Sequence, residues 1–575
     1  MTATHPRLRG QGELAQPAAP TVLAQQRTHR RRVQRRHPVT VSTPGTPAHR
    51  ARRGDPSHTP TGAPPHTHRH GRSHRGGTTT VNPLFRQCYR ATRSGNGGFL
   101  ASVTQPHTNE EGHAVTSETT TSHRRWGGRW IEHWDPEDHE FWRATGRPVA
   151  RRNLWASILA EHLGFSIWSM WSVLVLFMEP EHGFTFTAEQ KFLLVSVVSL
   201  VGAVLRVPYT LAVPIFGGRN WTLISAAALL VPTGLAFYLM HNPHTPFWLF
   251  VLLAATAGLG GGNFSSSMAN INQYFPEREK GWALGLNAGG GNIGVATVQL
   301  VGLGVIALFT ASAGAVVPLL YAPLLLLALW VAFTRMNNLA TARTDTKAQL
   351  AATKDKHFWI MSVLYIATFG SFIGFGFAFG LLLQNQFDRT ALEAASVAFL
   401  GPALGSLIRP VGGWLADRYG GARITLATFA TMAAGTGLIT VAVVTDSLAL
   451  FVATFIVLVL FTGIGNGSTY KMVPNIYAAK AQDQIAAGAP REETLAQNKR
   501  IASSMLGLIG AVGALGGVAI NLVFRESFGA TGSATPAFLA FLAFYAVCAV
   551  LTHVVYVRTP SHAPSNPAAP QQVSS

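Results

Sequence analysis

The chain runs to 575 residues, of which 48% are hydrophobic and only 12% are charged. Soluble domains usually carry about 25% charged side chains, so this balance excludes an ordinary soluble fold and points to a chain embedded in lipid. Two cysteines, Cys88 and Cys548, exclude a disulfide framework and a zinc cluster, and no cofactor or metal is expected.

Much of the net charge of +19 lies before Ala150, in runs such as His29-Arg30-Arg31-Arg32 and Arg35-Arg36. With Pro, Thr, His and Gly between those runs and no apolar periodicity, residues 1–125 are expected to form a disordered basic extension. Two other readings stand beside it. One is a tail that binds nucleic acid or anionic lipid; the other is translated upstream sequence ahead of a start at Val103 or Val115. No nucleic-acid partner is assigned, and residues 126–151 follow as a cytoplasmic lead-in.

From Asn153 onward long apolar runs succeed one another, each near or above the ~20 residues a helix needs to cross a bilayer. Twelve are predicted, at 152–178, 188–216, 220–240, 245–275, 280–310, 313–335, 357–386, 391–417, 422–444, 447–477, 500–526 and 534–557. They divide into a first six-helix half (152–337), a cytoplasmic linker (338–356), a second half (357–558) and a disordered tail (559–575). Arg151, Arg152, Arg219, Arg278, Lys280, Arg335, Lys354, Lys356, Arg418, Arg423, Lys480, Lys499, Arg500 and Arg558 fall on one set of alternate loops. The other set holds only Lys191, Arg389 and Arg525. Basic loops stay inside, so both termini are placed in the cytoplasm of a multi-pass inner-membrane protein.

The halves repeat. Leu154-Trp155 opens the first span as Phe358-Trp359 opens the seventh, Gly202-x3-Arg206 matches Gly405-x3-Arg409, and Gly258-Leu-Gly260-Gly-Gly262 matches Gly463-Ile-Gly465-Asn-Gly467. Two such halves, offset by about 204 residues, are the plan of an all-α transporter whose site lies between them at the midplane.

Arg206 and Arg409 carry the most chemistry. Each lies inside an apolar span with no acid three or four residues away, and a charge at that depth costs ~2.5–3.5 kcal/mol. It needs either a structural ion-pair partner or a wet cavity. Two guanidinium groups facing one cavity match a planar oxyanion, being flat, forked and always protonated. Small residues recur every third position at Gly285, Ala288, Gly291 and Gly294, and again at Gly507, Gly510, Gly513 and Gly516, which lets helices approach closely and slide. Asn287 and Asn292 beside the first series want partners, and either could donate to an oxyanion. Tyr365, Phe369 and Phe264 read as packing or as a dry sleeve around a weakly hydrated anion.

Gly413-Trp-Leu-Ala-Asp417-Arg418-Tyr-Gly420-Gly421-Ala-Arg423 resembles the loop motif of the major facilitator superfamily, in which acid and base latch the halves. Its first-half counterpart, Pro214 to Arg219, lacks the acid. Between about Trp130 and Arg558 a chain of segments resembles the NarK-type nitrate/nitrite porters. These are Trp134-Asp-Pro-Glu-Asp138, Arg152-Asn-Leu-Trp155, Leu205-Arg206-Val-Pro208-Tyr209, Asn263-Phe264 to Ile271, Ala283 to Gly294, and Ala367 to Phe375. The resemblance implies that Arg206 and Arg409 clamp the anion, that Tyr365 and Asn292 hydrogen-bond it, and that Phe264 and Phe369 pack against it. It also implies that Asp417 and Arg418 gate the cycle, with the chain working as a monomer in the bilayer. Lys471 departs from the pattern, standing where some members have Gln; it either snorkels or adds a titratable group to the path.

Carboxylates are scarce in the spans, with Glu161 and Asp417 toward the cytoplasmic side and Glu189 and Glu393 at the outer rims. Proton-driven carriers often relay through buried Asp, Glu or His, and His162 is the only nearby alternative. The expectation is therefore nitrate/nitrite antiport, with proton–nitrate symport second, through Lys471 and Tyr365. A passive anion channel or an anion sensor on the same fold is the rival from another class. An enzyme is not expected.

Overall fold

The computed structural model describes residues 128–309, 313–342 and 346–558; the extension 1–125 and the tail 559–575 lie outside the described residues. Twelve helices are long and apolar enough to cross a membrane. The first six are α1 (His139–Phe177), α2 (Ala188–Phe216), α3 (Gly218–Met240), α4 (Phe247–Tyr274), α5 (Glu277–Phe309) and α6 (Val316–Arg335). The second six are α7 (Lys356–Phe387), α8 (Ala391–Tyr419), α9 (Gly421–Val444), α10 (Leu448–Ala486), α11 (Arg491–Thr531) and α12 (Thr535–Val557).

The repeat read from the sequence recurs as local geometry. Thr187 and Thr390 start α2 and α8 with matching capping boxes, closed by Gln190 and Glu393. Both helices end on a glycine in the left-handed region, Gly217 (φ 85°) and Gly420 (φ 91°), where a side chain would be strained. A proline follows each of the two arginines within two residues, Pro208 in α2 and Pro410 in α8. It removes a backbone donor and favours a bend at the level of the charge. α1 and α7 are the inner helices, 83% and 94% buried over their apolar windows, against 28% for α12.

The two halves meet most closely at the face carrying the α1–α2, α7–α8 and α11–α12 turns. Phe192 stacks on Phe524 and Phe528 at 5.6 and 5.5 Å, and Trp168 meets Phe377 edge-on at 5.3 Å. Gln299 reaches from α5 to Ser172 and to the Gly376 carbonyl at 3.0 and 2.8 Å, and Gln384 donates to Glu179 at 2.8 Å. On the opposite face, where the chain enters α1 and leaves α12, an exposed ion pair joins Lys499 to Glu277 at 3.1 Å.

At that terminal face the structure departs from the predicted spans. α1 begins thirteen residues before 152, at His139, after an Asp138 cap; α10 runs on to Ala486 and α11 starts at Arg491. These extensions are rich in Ala, Glu, Gln, Lys and Arg, which favour helix in water as well as in lipid. The lead-in is not purely helical either. Trp130–Ile131 (β1) pairs in parallel with Asn338–Leu339 (β2), so the first two linker positions belong to the first half's packing. Trp134 packs edge-on against Tyr274, and Trp142 donates to Glu279 at 3.0 Å. After the short helix Thr346–Thr353, Asp355 caps α7 and accepts from Lys480 and Tyr477, each at 2.8 Å. Burial alone would raise the Asp355 carboxyl, but hydrogen bonds from Lys480, the His357 N–H and Tyr477 outweigh it and hold it at about 2.

Candidate functional site

Arg206 lies midway along α2 and is 1% exposed. Its guanidinium carbon sits 4.9 Å from the ring centre of Phe264 on α4, 5.0 Å from Phe369 on α7 and 5.9 Å from Trp168 on α1. Aromatic faces attract the cation without neutralising it. Nη1 donates to the carbonyl of Gly510 on α11 at 2.8 Å, while Nε and Nη2 have no acceptor among the described residues. Those two nitrogens share one edge of the guanidinium, the edge that grips a planar oxyanion through two parallel hydrogen bonds.

Arg409 stands at the equivalent level of α8. Its Nη2 reaches the Tyr365 hydroxyl at 3.4 Å, its carbon lies 5.7 Å from the Tyr470 ring, and Nη1 has no acceptor among the described residues. Tyr365 in turn stacks on Phe369 at 5.1 Å with 18° between the planes. A continuous series, Arg409–Tyr365–Phe369–Arg206, therefore connects the two charges through α7. The backbone helps: Ile366–Gly370 forms a π-helical turn, a distortion frequent at functional sites, which begins just after Tyr365 and contains its stacked partner Phe369. Among the described residues neither arginine is in ion-pair contact with a carboxylate, so the structural ion-pair reading of the sequence is not what the structure shows.

The remaining predicted residues divide. Asn292 is buried with its Oδ1 lacking a donor, and among the described residues no hydrogen bond ties it to the arginines. The glycine series is a close seam only in part. A Cβ at Gly291 would meet the Glu161 carboxylate, at Gly294 the His162 carbonyl, at Gly513 the Tyr365 ring, and at Gly516 the Ile366 carbonyl. At Gly285, Gly507 and Gly510 it would meet nothing. Gly510 serves instead through its carbonyl. Asp417 does not pair with Arg418: it takes Lys471 at 3.1 Å, a contact inside the second half, while Arg418 lies over Trp414 and Tyr419. Both partners in that ion pair are about half exposed.

The family model for the Major Facilitator Superfamily matches residues 154–489. The chain belongs to that superfamily. Two proteins named nitrate/nitrite transporter NarU resemble it along most of their length. That of Escherichia coli is 38% identical over 453 residues, covering 74% of this chain and 96% of the relative. That of Salmonella typhimurium is 37% identical over 447 residues, with the same coverage. A probable nitrate/nitrite antiporter NarK2 of Thermus thermophilus is 35% identical over 374 residues, 61% of this chain and 83% of the relative. These relatives place the chain in the NarK-type nitrate/nitrite porter family within the superfamily. Solved structures agree on the fold alone. A D-xylose–proton symporter superposes with a TM-score of 0.51 at 14% identity, over 70% of this chain and 97% of that one. A bacterial homologue of the lysosomal transporter Spinster, inward-facing and unoccupied, gives 0.50 at 15% identity, over 71% and 97%.

Sequence reasoning set one residue of this porter aside. Glu161 on α1 is 0% exposed, within the same interior as the arginines. Its Oε2 accepts from Ser267 on α4 and, at 2.6 Å, from Asn287 on α5. One turn along α1, Phe165 packs on Phe264, the ring beneath Arg206, at 5.9 Å. Carboxylates are thus as scarce as expected, and among the described residues Glu161 is the one carboxylate that is buried. The signal available in the sequence was the repeat itself: Glu161 stands six residues after Trp155, as Tyr365 stands six after Trp359.

Proposed function

We propose that this porter carries nitrate and nitrite across the cytoplasmic membrane by alternating access, exchanging one anion for the other. The observation that carries the reading is the free edge of Arg206, two adjacent N–H donors held between Phe264 and Phe369 with no acceptor among the described residues. A planar monoanion fits such a fork, and the aromatic faces exclude the water that would compete for it. Arg409 and Tyr365 supply the second clamp from the other half. An unliganded pair of arginines leaves net positive charge in a medium that penalises it; an anion lowers that penalty, so a loaded carrier turns over more readily than an empty one. The names of the relatives support the cargo, and the Thermus thermophilus name supports exchange.

In this reading both termini face the cytoplasm, the seal of Phe192, Gln299 and Gln384 is the closed outer gate, and a monomer in the bilayer suffices. The test is nitrate uptake into proteoliposomes preloaded with nitrite, at equal pH on both sides. Rapid counterflow is expected. Conductance without counterflow would indicate a channel, and no nitrate or nitrite movement at all would overturn the cargo. Proton symport is the second reading, and the observation that favours it is the buried Glu161 cluster.

A further inference from the structure

The two arginines are not fastened alike. Nη1 of Arg206 donates to the Gly510 carbonyl at 2.8 Å, which leaves the Nε–Nη2 edge free. Nη1 of Arg409 is buried with no acceptor among the described residues. Its Nη2 reaches the Tyr365 hydroxyl only at 3.4 Å, longer than a usual hydrogen bond, so this guanidinium has room to turn. A buried charged donor without an acceptor is costly. The second clamp lacks the fastening that the first already has.

α10 offers the missing acceptor. Asn466 is 1% exposed, and its Oδ1 is buried with no donor among the described residues. Residues three and four apart share one face of a helix, and Gly463, Asn466, Gly467 and Tyr470 form such a stripe. The other members of the stripe all touch α8. A Cβ at Gly463 would meet the Gly405 carbonyl, and one at Gly467 the Arg409 carbonyl. The Tyr470 ring centre lies 5.7 Å from the Arg409 guanidinium carbon. Asn466 thus stands one residue from a contact with the Arg409 backbone and one turn from a contact with its side chain. Two hydroxyls in the neighbourhood also lack partners, Ser406 on α8 and Thr469 on α10. Thr469 falls off the stripe, and a carboxamide oxygen is a stronger acceptor for a guanidinium than either hydroxyl.

We infer that Asn466 is a positioning residue of the second clamp: its Oδ1 accepts from Nη1 of Arg409 when the carrier holds its anion. The inference rests on the anion-carrier reading above. Asn466 then does for Arg409 what the Gly510 carbonyl does for Arg206. With Nη1 taken, the Nε–Nη2 edge of Arg409 is the one left over, so both halves present the same bidentate edge to a planar anion. The two fastenings differ in one respect. That of Arg206 crosses between the halves, whereas that of Arg409 stays inside its own half and survives their relative movement.

The experiment uses the full chain purified in detergent, with the nitrate Kd read from its stabilisation against heat. N466L keeps about the volume of asparagine and removes the acceptor; it is expected to weaken nitrate binding by about tenfold. In an R409K background, where no Nη1 exists, N466L is expected to change the Kd by less than about twofold. S406A and T469V are each expected to stay within about twofold of wild type. If a leucine does not fit beside Gly463 and Gly467, N466A takes its place in the same pair of backgrounds. An equal loss in both backgrounds overturns the inference, because it assigns Asn466 to packing alone. No loss in either background overturns it too, as does a tenfold loss that appears in S406A or T469V instead. All of these outcomes leave the proposed function standing, whereas wild type that binds neither nitrate nor nitrite overturns the proposed function itself.

Discussion

Arg206 on α2 and Gly510 on α11 are 304 residues apart in the chain and joined by a 2.8 Å hydrogen bond, guanidinium to main-chain carbonyl. The bond crosses between the halves, so the residue that offers its free edge to an anion is also fastened to the element against which it must move. Because the acceptor is a backbone oxygen, its strength does not depend on any side chain of α11. It also fixes which edge of Arg206 is left over, and that edge is the bidentate one.

Arg206→Lys and Arg409→Lys are each expected to lower nitrate/nitrite counterflow by roughly 100-fold, the cost of replacing a bidentate guanidinium by a single ammonium. Folding, followed by gel filtration and circular dichroism in detergent, should be unchanged. Uptake within a few-fold of wild type in either variant would sink the two-arginine clamp.

Glycines of α11 should differ according to what their Cβ would meet. Gly513→Ala places a carbon 2.5 Å from Cδ1 of Tyr365, which must push the ring off Phe369; counterflow is expected to fall by about tenfold, through misplacement at the site. Gly507→Ala meets nothing, and should leave transport near wild type while raising the melting temperature slightly, since Ala is favoured over Gly in a helix by ~1 kcal/mol. Equal effects at the two positions would show that packing at α11 does not control Tyr365.

The Asp355–Lys480–Tyr477 cluster makes a pH-dependent contribution to stability. Its carboxyl is held at about 2, below the ~3.9 of an unfolded Asp. A depressed folded value means the contribution is fully present above pH ~4 and is lost as the pH falls toward 2. Asp355→Asn keeps the cap on α7 but removes the charge. It is expected to cost about 1 kcal/mol at neutral pH, the half-exposed Lys480 partner limiting the gain. The deficit should close between pH ~4 and ~2 in detergent unfolding curves; a deficit constant with pH would assign it to packing.

The fold was legible in the sequence to an unusual depth, and the site less so. Span length, the alternation of basic loops and the repeat from Trp155/Trp359 through Arg206/Arg409 to the terminal glycines are one-dimensional signals. They identify twelve helices in two halves because bilayer thickness and positive-inside asymmetry act on the chain locally. Arg206 and Arg409 stood out for the same reason, as charges inside apolar runs.

Rotation and partnership were decided only by the tertiary structure. Because α1 is buried on nearly every side, its apolar pattern carries no phase, and apart from the match to Tyr365 across the repeat the sequence does not say whether Glu161 faces lipid headgroups, a loop or the interior. Folding turned it between Ser267 and Asn287 and against Gly291. The same holds for Asp417, whose motif suggested a latch between the halves but whose partner, Lys471, lies on another helix of its own half. It holds too for Phe264 and Phe369, which come from different halves to enclose one guanidinium. Hydropathy records how deep a residue lies, whereas the contacts that make an anion site depend on which faces of twelve helices pack together, and that is settled by long-range packing.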